Sequence, residues 1–600
     1  MNKAGVFVKQ GIPTRKQEGR GAMGLSAYRT HPVHETPGLT LEAGYEPLAN
    51  RVRRCVEEAG PRAVVVIDGF TGVPWATFVT TLTDALTHAG LSADWYSTET
   101  CFLPSARIDA LLARTLTQDP VLGRIYHGHL DELWDAEPVA ELRRSVGART
   151  QLTIIHGFGA SLLAEGDLLI YLDVPKDRGQ ELAARGLVAN VGAETAAPFG
   201  VQYKRLYFVD WPMLNRIKRG LLPRLDVFVD LSDVTAPVST GGSALRQALH
   251  ALARRPFRVK PWFAPGPWGG QWMKEQFGLP PEQPNYAWSF ELIAPENGIL
   301  LGDGDRALEC SFDYLLWQEP DAVLGESVAA RYGSYFPIRF DYLDTIGGTN
   351  LSCQVHPRLD YIRDEFGESI TQDETYYIVT CKPGAQVFLG LREDADLARF
   401  QDAAYTARDG GVGFEITDHV NSFPSQPHDL FLIPSGTVHC SGADNLVLEI
   451  SATPYIYTFK IYDYLRTDLH GKLRHVHLDH AFANIDPTRR TDWVRSHLIP
   501  TPVALREGPT WGEYRIGDTP KLFFAIHRLE FTDAIEDTTD GKFIALNLVE
   551  GERCEIMTDG AAPIELRFAE SIIIPAGIGR YTLRNAGAAP CKAVKAFVKG

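Results

Sequence analysis

The feature that most constrains the fold of this chain is a change in its hydrophobic pattern near residue 255. Between residues 51 and 255, short apolar runs alternate with segments whose apolar residues recur every three or four positions. From about residue 256, short strand-like runs follow one another between glycine and proline turns. The first pattern predicts a parallel sheet with helices, and the second predicts a barrel or jelly roll. We therefore expect a multidomain protein, with an N-terminal α/β parallel-sheet domain followed by mainly-β jelly-roll domains with helical insertions.

These patterns divide the chain into predicted parts: an irregular N-terminal arm (1–50), an α/β domain (51–255), a first β domain (256–500) and a second barrel (501–600). The arm is assigned because it is rich in glycine, proline and polar residues without periodicity. In the α/β domain we expect strands at 63–68, 152–156, 167–173 and 225–230, and helices at 76–89, 106–117, 176–186 and 241–254. In the β part we expect helices around 306–317, 358–366 and 487–498.

A weak internal repeat supports two β-barrels in tandem. Residues 431–439 and 572–580 both read as an apolar strand, a Pro-x-Gly turn and a final polar residue. The first copy ends in His439, which is a metal-ligand type, and the second ends in Arg580, which is not. The repeat therefore predicts a metal site in the first barrel and none in the second.

The charge and the cysteine content indicate which partners and which cellular compartment we expect for this protein. The chain has 59 Lys and Arg against 75 Asp and Glu, a formal charge of −16, which does not favour nucleic acid or an anionic membrane surface. No apolar run is long enough to span a bilayer, and no leader pattern opens the sequence.

The eight cysteines have no CxxC spacing. We expect a cytoplasmic protein with reduced thiols, whose partner is a small molecule. The sequence does not indicate an oligomeric state.

Three pieces of the β part carry ligand-type side chains. Gln354 and His356 are two apart in a strand-like run, so they share one face of the strand. Glu374 opens another such run, and His439 ends the Pro-x-Gly-x-x-His turn. Two imidazoles, a carboxylate and an amide oxygen suit Zn²⁺, Mn²⁺ or Fe²⁺. The interior of a barrel would bring these residues together.

The same runs resemble class I mannose-6-phosphate isomerases, a cupin-type family. Residues 334–357 (SYFPIRFDYLDTIGGTNLSCQVHP) resemble the family's run that ends in LS-x-QVHP, and residues 433–439 resemble its IP-x-GT-x-H turn. Residues 374–378, 446–450 and 457–466 follow in the family's order. The resemblance extends over about 256–600.

This resemblance implies a zinc-dependent aldose–ketose isomerase that interconverts mannose 6-phosphate and fructose 6-phosphate through an enediol. It places one Zn²⁺ on Gln354, His356, Glu374 and His439. Two departures stand beside that site: Gln372 replaces a family lysine, and Lys460 replaces a family arginine, which keeps the charge but loses the bidentate fork. We assign Lys460 a catalytic role, and we assign Gln372 and Arg466 to substrate binding.

The N-terminal domain resembles uridine-kinase-like proteins at residues 63–78. A strand, a glycine-containing turn and a helix start resemble a phosphate loop. The loop's Gly-Lys-Ser/Thr ending is replaced by Pro74, Trp75, Ala76 and Thr77. We therefore expect a degenerate, structural or regulatory domain, and we assign no cofactor-binding residue to it. An active kinase and a domain that binds another ligand, such as an anion at the amides of the helix start, stay open as alternatives.

Two rival functions remain open. Two histidines and a carboxylate with open positions also suit an Fe²⁺-dependent cupin oxygenase. The changes at Gln372 and Lys460 suggest, alternatively, a sugar-phosphate sensor that keeps the metal site and has lost turnover.

Overall fold

The structure is a computed structural model that describes residues 28–467 and 471–600. The chain divides into two compact units. Of the described residues, unit 1 holds Val33–Leu252 and Pro295–Gln318, and unit 2 holds 28–32, Ala253–Ala294 and Glu319–Gly600. Residues 295–318 thus belong with the α/β unit, although the sequence pattern assigns them to the first β domain.

The described residues contain 31 strands, numbered in chain order: β1 (Val33–Glu35), β2 (Glu42–Ala43), β3 (Val64–Gly69), β4 (Asp94–Ser97), β5 (Thr153–His156), β6 (Leu168–Asp173), β7 (Val227–Asp230), β8 (Val238–Gly241), β9 (Trp262–Ala264), β10 (Trp288–Leu292), β11 (Gly298–Gly302), β12 (Ala307–Ser311), β13 (Ile338–Asp344), β14 (Cys353–Val355), β15 (Glu374–Cys381), β16 (Gln386–Leu391), β17 (Val420–Pro424), β18 (Leu430–Ile433), β19 (His439–Ser441), β20 (Asn445–Ala452), β21 (Phe459–Tyr462), β22 (Val503–Gly508), β23 (Trp511–Gly517), β24 (Phe524–Phe531), β25 (Ala534–Thr538), β26 (Ile544–Glu550), β27 (Arg553–Thr558), β28 (Ile564–Arg567), β29 (Ser571–Ile574), β30 (Arg580–Asn585) and β31 (Cys591–Val598).

The α-helices among the described residues number 17: α1 (Tyr45–Ala59), α2 (Trp75–His88), α3 (Ser105–Leu116), α4 (Ala136–Gly147), α5 (Ala160–Leu163), α6 (Lys176–Ala184), α7 (Phe199–Arg205), α8 (Trp211–Leu221), α9 (Gly242–Leu252), α10 (Trp272–Gln276), α11 (Phe312–Gln318), α12 (Pro320–Leu324), α13 (Glu326–Tyr332), α14 (Leu359–Phe366), α15 (Leu397–Gly410), α16 (Leu478–Asn484) and α17 (Thr491–His497).

Unit 1 is built on a seven-stranded sheet in the order β2-β8-β7-β6-β3-β5-β4. The five strands from β7 to β4 are parallel, and β8 and β2 add antiparallel pairs at one end. All six residues of β3 are buried, as expected for a strand covered on both faces. The apolar faces of α1 and α2 pack on the sheet through Leu48, Val52, Phe78 and Leu82. The predicted parallel α/β sheet is therefore present.

The turn from β3 into α2 requires glycine at one position. Gly72 has φ +90°, and a Cβ there would lie 3.0 Å from the Gly179 Cα and 3.1 Å from the Val174 Cγ1. The strand, turn and helix expected at 63–78 are formed. This geometry does not by itself identify a phosphate loop.

Two sequence predictions for unit 1 need correction. Residues 1–27 of the expected arm lie outside the described residues, but residues 33–50 are not irregular, since they form β1, β2 and the start of α1. β1 pairs with β11 and β2 pairs with β8, so partners far along the chain stabilise strands too short to show periodicity. The helix expected over 306–317 begins only at Phe312, because residues 307–311 form β12 against β11.

Unit 2 contains two β-barrel modules, each made of two antiparallel sheets. In the first, a six-stranded sheet (β18-β15-β20-β13-β10-β9) faces a five-stranded sheet (β17-β16-β19-β14-β21). In the second, the sheets are β22-β23-β24-β31-β26-β29 and β25-β30-β27-β28, with an apolar core that includes Leu529, Leu546 and Leu583. The helices expected at 358–366 and 487–498 correspond to α14 and, in shorter form, α17. No helix in the described part of the chain has the length and apolar character needed to cross a bilayer.

Candidate metal centre

Three strand ends of the first barrel meet in its interior. His356 follows the last residue of β14, Glu374 is the first residue of β15, and His439 is the first residue of β19. β14 and β19 belong to the five-stranded sheet and β15 to the six-stranded sheet, so the site lies between the two sheets. The turn before His439 depends on Gly436, whose φ is +86° and whose added Cβ would lie 3.1 Å from the Asn484 carbonyl oxygen.

The Glu374 carboxylate lies between the two imidazoles. Its Oε2 is 2.9 Å from the His356 Nε2, and its Oε1 is 2.8 Å from the His439 Nε2. All three side chains are buried, with at most 1% of each exposed. One ligand atom from each residue lies within 4.8 Å of the others, a spacing that lets one metal ion contact all three.

Backbone carbonyls orient both rings. The His439 Nδ1 is 2.8 Å from the Thr437 carbonyl oxygen, and the His356 Nδ1 is 3.3 Å from the Tyr457 carbonyl oxygen. An Nδ1–H that donates to a carbonyl fixes the tautomer that leaves Nε2 as a lone-pair donor. Both Nε2 atoms point toward Glu374, as a shared metal ion requires.

The residues present fit a divalent metal ion. The His356 Nε2 and the Glu374 Oε1 are buried polar atoms that lack a hydrogen-bond partner of good geometry. A metal ion would satisfy both atoms at once. Two imidazoles and a carboxylate form a donor set that suits Zn²⁺ as well as Fe²⁺ or Mn²⁺.

The electrostatic environment of the site favours the protonation states in which Glu374 and His356 can bind a metal ion. Burial raises the pKa of Glu374, but the His356 and His439 rings outweigh burial and hold that pKa well below its ordinary value. Burial lowers the pKa of His356, and the Glu374 carboxylate offsets this only in part. A deprotonated carboxylate and a neutral imidazole are the forms that bind metal.

Gln354 lies next to this triad. The Gln354 Nε2 is 3.3 Å from the His439 Nε2, and the Ser352 hydroxyl donates to the Gln354 Oε1 at 3.1 Å. A half-turn of the amide would present Oε1 to the triad, and the Ser352 hydroxyl could then accept from Nε2. The amide is therefore within reach of the site, and one rotation separates it from a ligand orientation.

Lys460, Gln354 and His439 lie side by side on three neighbouring strands of the five-stranded sheet. Gln354 on β14 is opposite His439 on β19 on one side and opposite Lys460 on β21 on the other. Residues directly opposite in antiparallel strands project to the same face, so the half-buried Lys460 side chain shares the face of the metal residues. Burial, aided by Arg474, lowers the pKa of Lys460 to about 8, and Asp463 opposes the shift.

The two predicted substrate-binding residues, Gln372 and Arg466, have different hydrogen-bond partners in the structure. The Gln372 Nε2 donates to the Glu374 Oε2 at 2.9 Å, and the Gln372 Oε1 is buried without a hydrogen-bond partner. The Arg466 guanidinium instead pairs with Asp463 at 2.9 Å and donates to the Thr349 hydroxyl at 2.8 Å. Gln372 therefore belongs to the centre, whereas the hydrogen bonds of Arg466 hold a neighbouring loop.

A buried charged cluster next to Glu374 was missed at the level of sequence. Arg339 on β13 pairs with Glu449 on β20 and with Asp341 at 3.3 Å, and its Nε donates to the Ser451 hydroxyl at 2.6 Å. Ser451 is directly opposite Glu374, so the cluster adjoins the metal residues. Burial raises the pKa of Asp341 to about 6, against the lowering effect of Arg339. The available signal was a set of charged residues inside the apolar runs at 336–343 and 446–450.

The second barrel carries Arg580 at the position where the internal repeat has His439 in the first barrel. That this barrel holds no metal stays a prediction. Arg580 opens β30 as His439 opens β19, and its side chain is exposed. Residues 501–600, all of which the structure describes, contain no group of three close metal-ligand side chains.

Comparison with known proteins gives a different result for each part of the chain. A family model described as a domain of unknown function (DUF8485) matches residues 44–254. Mannose-6-phosphate isomerase ManA of Bacillus subtilis is 25% identical over 343 residues, which is 56% of this chain and 97% of that protein. Mannose-6-phosphate isomerase of Streptococcus mutans is 24% identical over 321 residues, 51% of this chain and 88% of that protein.

A solved isomerase structure also aligns with more than half of the chain. The crystal structure of mannose 6-phosphate isomerase from Bacillus subtilis aligns at 20% identity and a TM-score of 0.46, covering 57% of this chain and 99% of that one. The sequence relatives establish homology to mannose-6-phosphate isomerases over about 56% of the chain. That part of the predicted resemblance is confirmed. The likeness of residues 63–78 to a phosphate loop stays a prediction.

Proposed function

We propose that this protein is a metal-dependent isomerase of a sugar phosphate, with mannose 6-phosphate and fructose 6-phosphate as its substrate pair and zinc as its metal. The observation that carries the proposal is the meeting of His356, Glu374 and His439 in a buried barrel interior, with both Nδ1 atoms directed at backbone carbonyls. The homologous isomerases supply the substrate class.

In this proposal His356, Glu374, His439 and the rotated amide of Gln354 hold the zinc ion. When bound, the ion supplies positive charge that stabilises negative charge developing on the sugar oxygens. The Gln372 amide fixes the Glu374 carboxylate through its 2.9 Å hydrogen bond. Its unpartnered Oε1 is then free to accept a hydrogen bond from a sugar hydroxyl.

Lys460 is proposed as the cation that faces the substrate. With a pKa of about 8, its ammonium is mostly protonated at neutral pH and can donate to an anionic oxygen. Its place in the row of Gln354 and His439 puts its backbone roughly 10 Å from that of His439, since neighbouring strands are about 4.8 Å apart. That span suits a side chain that reaches the far end of a bound sugar. We assign Arg466 the task of holding the 349–350 loop.

We also propose that the other domains do no chemistry. Unit 1 is assigned a phosphate-loop-like fold without kinase activity, because Pro74, Trp75 and Ala76 stand where a phosphate loop carries its lysine and hydroxyl. The second barrel is assigned a structural role, because Arg580 replaces the histidine type at the equivalent strand start.

The test is a turnover assay on the full chain. The protein is loaded with Zn²⁺, and conversion of mannose 6-phosphate to fructose 6-phosphate is measured with and without a chelator. We expect turnover that the chelator abolishes and that added Zn²⁺ restores. Binding of the sugar phosphate without turnover would favour the sensor, and the double variant Gln372→Lys, Lys460→Arg should then gain activity. Copurified iron with oxygen consumption would favour the oxygenase and overturn the proposal.

A further inference from the structure

We propose that Cys353 and Cys440 are a covalent modification site, at which a peroxide converts the two thiols into a reversible disulfide that weakens metal binding. The bond formation itself is independent of the function proposed above. Its effect on metal rests on the assignment of Gln354 and His439 to the metal centre.

The register of two strands brings these cysteines together. Gln354 on β14 and His439 on β19 are directly opposite each other in an antiparallel pair. Cys353 precedes Gln354 and Cys440 follows His439, so the antiparallel register places the two cysteines opposite each other, with side chains on the other face of the sheet. The two thiols are free and fully buried, and Cys440 is close enough that it raises the pKa of the Cys353 thiol together with burial. Side-by-side positions in antiparallel strands fall in the Cα separation range that disulfides span.

The pair is covered by a turn in an uncommon conformation. Tyr464 and Leu465 have φ of 53° and 54°, in the left-handed region that residues with a Cβ seldom occupy. The Tyr464 hydroxyl lies 3.9 Å from the Cys440 Sγ and accepts from the Asn350 Nδ2 at 3.2 Å. Two consecutive residues in this region persist only while such contacts hold them. We expect the oxidant to reach the thiols when this turn opens.

The chemistry is a two-electron oxidation of the dithiol. One sulfur attacks hydrogen peroxide, the O–O bond breaks, and a sulfenic acid and one water are formed. The second sulfur attacks the sulfenic sulfur, which forms the S–S bond and releases a second water. Both thiols lose their protons to these waters, and one peroxide is reduced to two waters. A dithiol reductant reverses the reaction by two thiol–disulfide exchanges.

The disulfide would act on the metal centre through the backbone. Cys353 is bonded to Gln354 and Cys440 to His439, so drawing the two sulfurs to bonding distance shifts the strand positions of two metal-site residues. Groups that orient metal ligands change affinity by about 10- to 100-fold when they are disturbed. We expect a loss of zinc affinity in that range, recovered on reduction.

The test uses the full-length, zinc-loaded protein and hydrogen peroxide as the probe. Peptide mapping under non-reducing conditions should find a 353–440 cross-link, and zinc measured after gel filtration should fall and then recover after dithiothreitol and fresh zinc. Cys353→Ala and Cys440→Ala should each retain zinc under the same treatment. Cys554→Ala is the matched control, because Cys554 is equally buried but lies in the second barrel. It should respond like the unaltered chain.

Two results would overturn the proposal. Peroxide treatment without a 353–440 cross-link would remove the site, and a cross-linked protein with the zinc content of the reduced one would remove its effect. The cross-link is measured on the unaltered chain, so poor folding of a cysteine variant does not affect this outcome. Failure of the function proposed above gives a different pattern, namely a cross-linked protein with no turnover even when reduced and zinc-loaded.

Discussion

At the residue scale, the candidate metal centre contains two histidines whose Nδ1 atoms lie against backbone carbonyls, while their Nε2 atoms face the Glu374 carboxylate. The Nδ1 contacts of His439 with Thr437 and of His356 with Tyr457 keep the Nε2 atoms directed at Glu374 before any ion binds. Such preorganisation reduces the ordering that metal binding would otherwise require.

The first prediction removes one of these ligands. His439→Ala, and equally His356→Ala, should lose most of the bound zinc, because a site of three strong donors falls to two. Metal per chain is measured by elemental analysis after gel filtration. Arg580→Ala is the matched control, since it changes the corresponding strand start of the second barrel, and it should keep full zinc content. Equal zinc in His439→Ala and the unaltered chain would refute the ligand assignment.

A second prediction concerns the charge on Lys460. Burial lowers its pKa to about 8, so the ammonium is present below that pH and is lost as the pH rises through it. If Lys460 binds the anionic part of the substrate, KM should rise above about pH 8 while kcat changes less. Lys460→Arg should keep KM flat in that range, because a guanidinium stays protonated. The measurement is a KM profile from about pH 6.5 to 9.5, and the same rise in both proteins would contradict the role.

At the scale of elements, β13, β20 and β15 carry buried charged residues beside the candidate metal site. Arg339 neutralises Asp341 and Glu449, which are directly opposite each other on β13 and β20. Removing Arg339 would therefore leave these two buried carboxyls without their cation.

The third prediction concerns the loss in the free energy of unfolding when Arg339 is replaced. Arg339→Met should lower the free energy of unfolding by about 3–5 kcal/mol, as expected when one partner of a buried ion pair is lost. Arg584→Met is the control, because Arg584 pairs with Glu555 across two strands with about half of its side chain exposed, and it should cost below about 1 kcal/mol. If denaturant unfolding gives the same loss of unfolding free energy for both variants, the charged residues around Arg339 do not form a tightly buried ion cluster.

The elements also show which parts of the site the sequence could predict. Gln354, His356, Glu374 and His439 could be predicted as neighbours because each lies in a local motif, and a barrel interior is where such motifs can meet. Their role as metal ligands stays a prediction. The pairing of Cys353 with Cys440 and the row formed by Arg339 depend on strand register, which no single run of sequence contains. The assignment of β11 and β12 to unit 1 likewise depends on long-range pairing with β1.

At the scale of the whole molecule, an α/β unit and a double β-barrel unit share one chain. The pattern change near residue 255 predicted both classes of structure, since strand-helix alternation and successive short strands differ in period. The order within each sheet was not predictable, because strands such as β2 and β4 are short or only half-buried and carry a weak signal.

The fourth prediction belongs to the whole chain. Full-length protein incubated with ATP, Mg²⁺ and a free hexose should form no ADP above the background without protein, because residues 74–77 lack the phosphate-loop lysine. Isomerase turnover should also be the same with and without ATP. Protein-dependent ADP formation would contradict the assignment of unit 1 as a domain without kinase chemistry.

The most direct test of the central claim is proton exchange at the sugar carbon. The zinc-loaded full chain is incubated with fructose 6-phosphate in D₂O, and deuterium at C1 of the ketose and C2 of the aldose is followed by NMR. The account predicts deuterium in both positions, abolished by a chelator and by His439→Ala and retained by Arg580→Ala. Substrate that stays free of deuterium, with zinc demonstrably bound, would contradict an isomerase that works through an enediol.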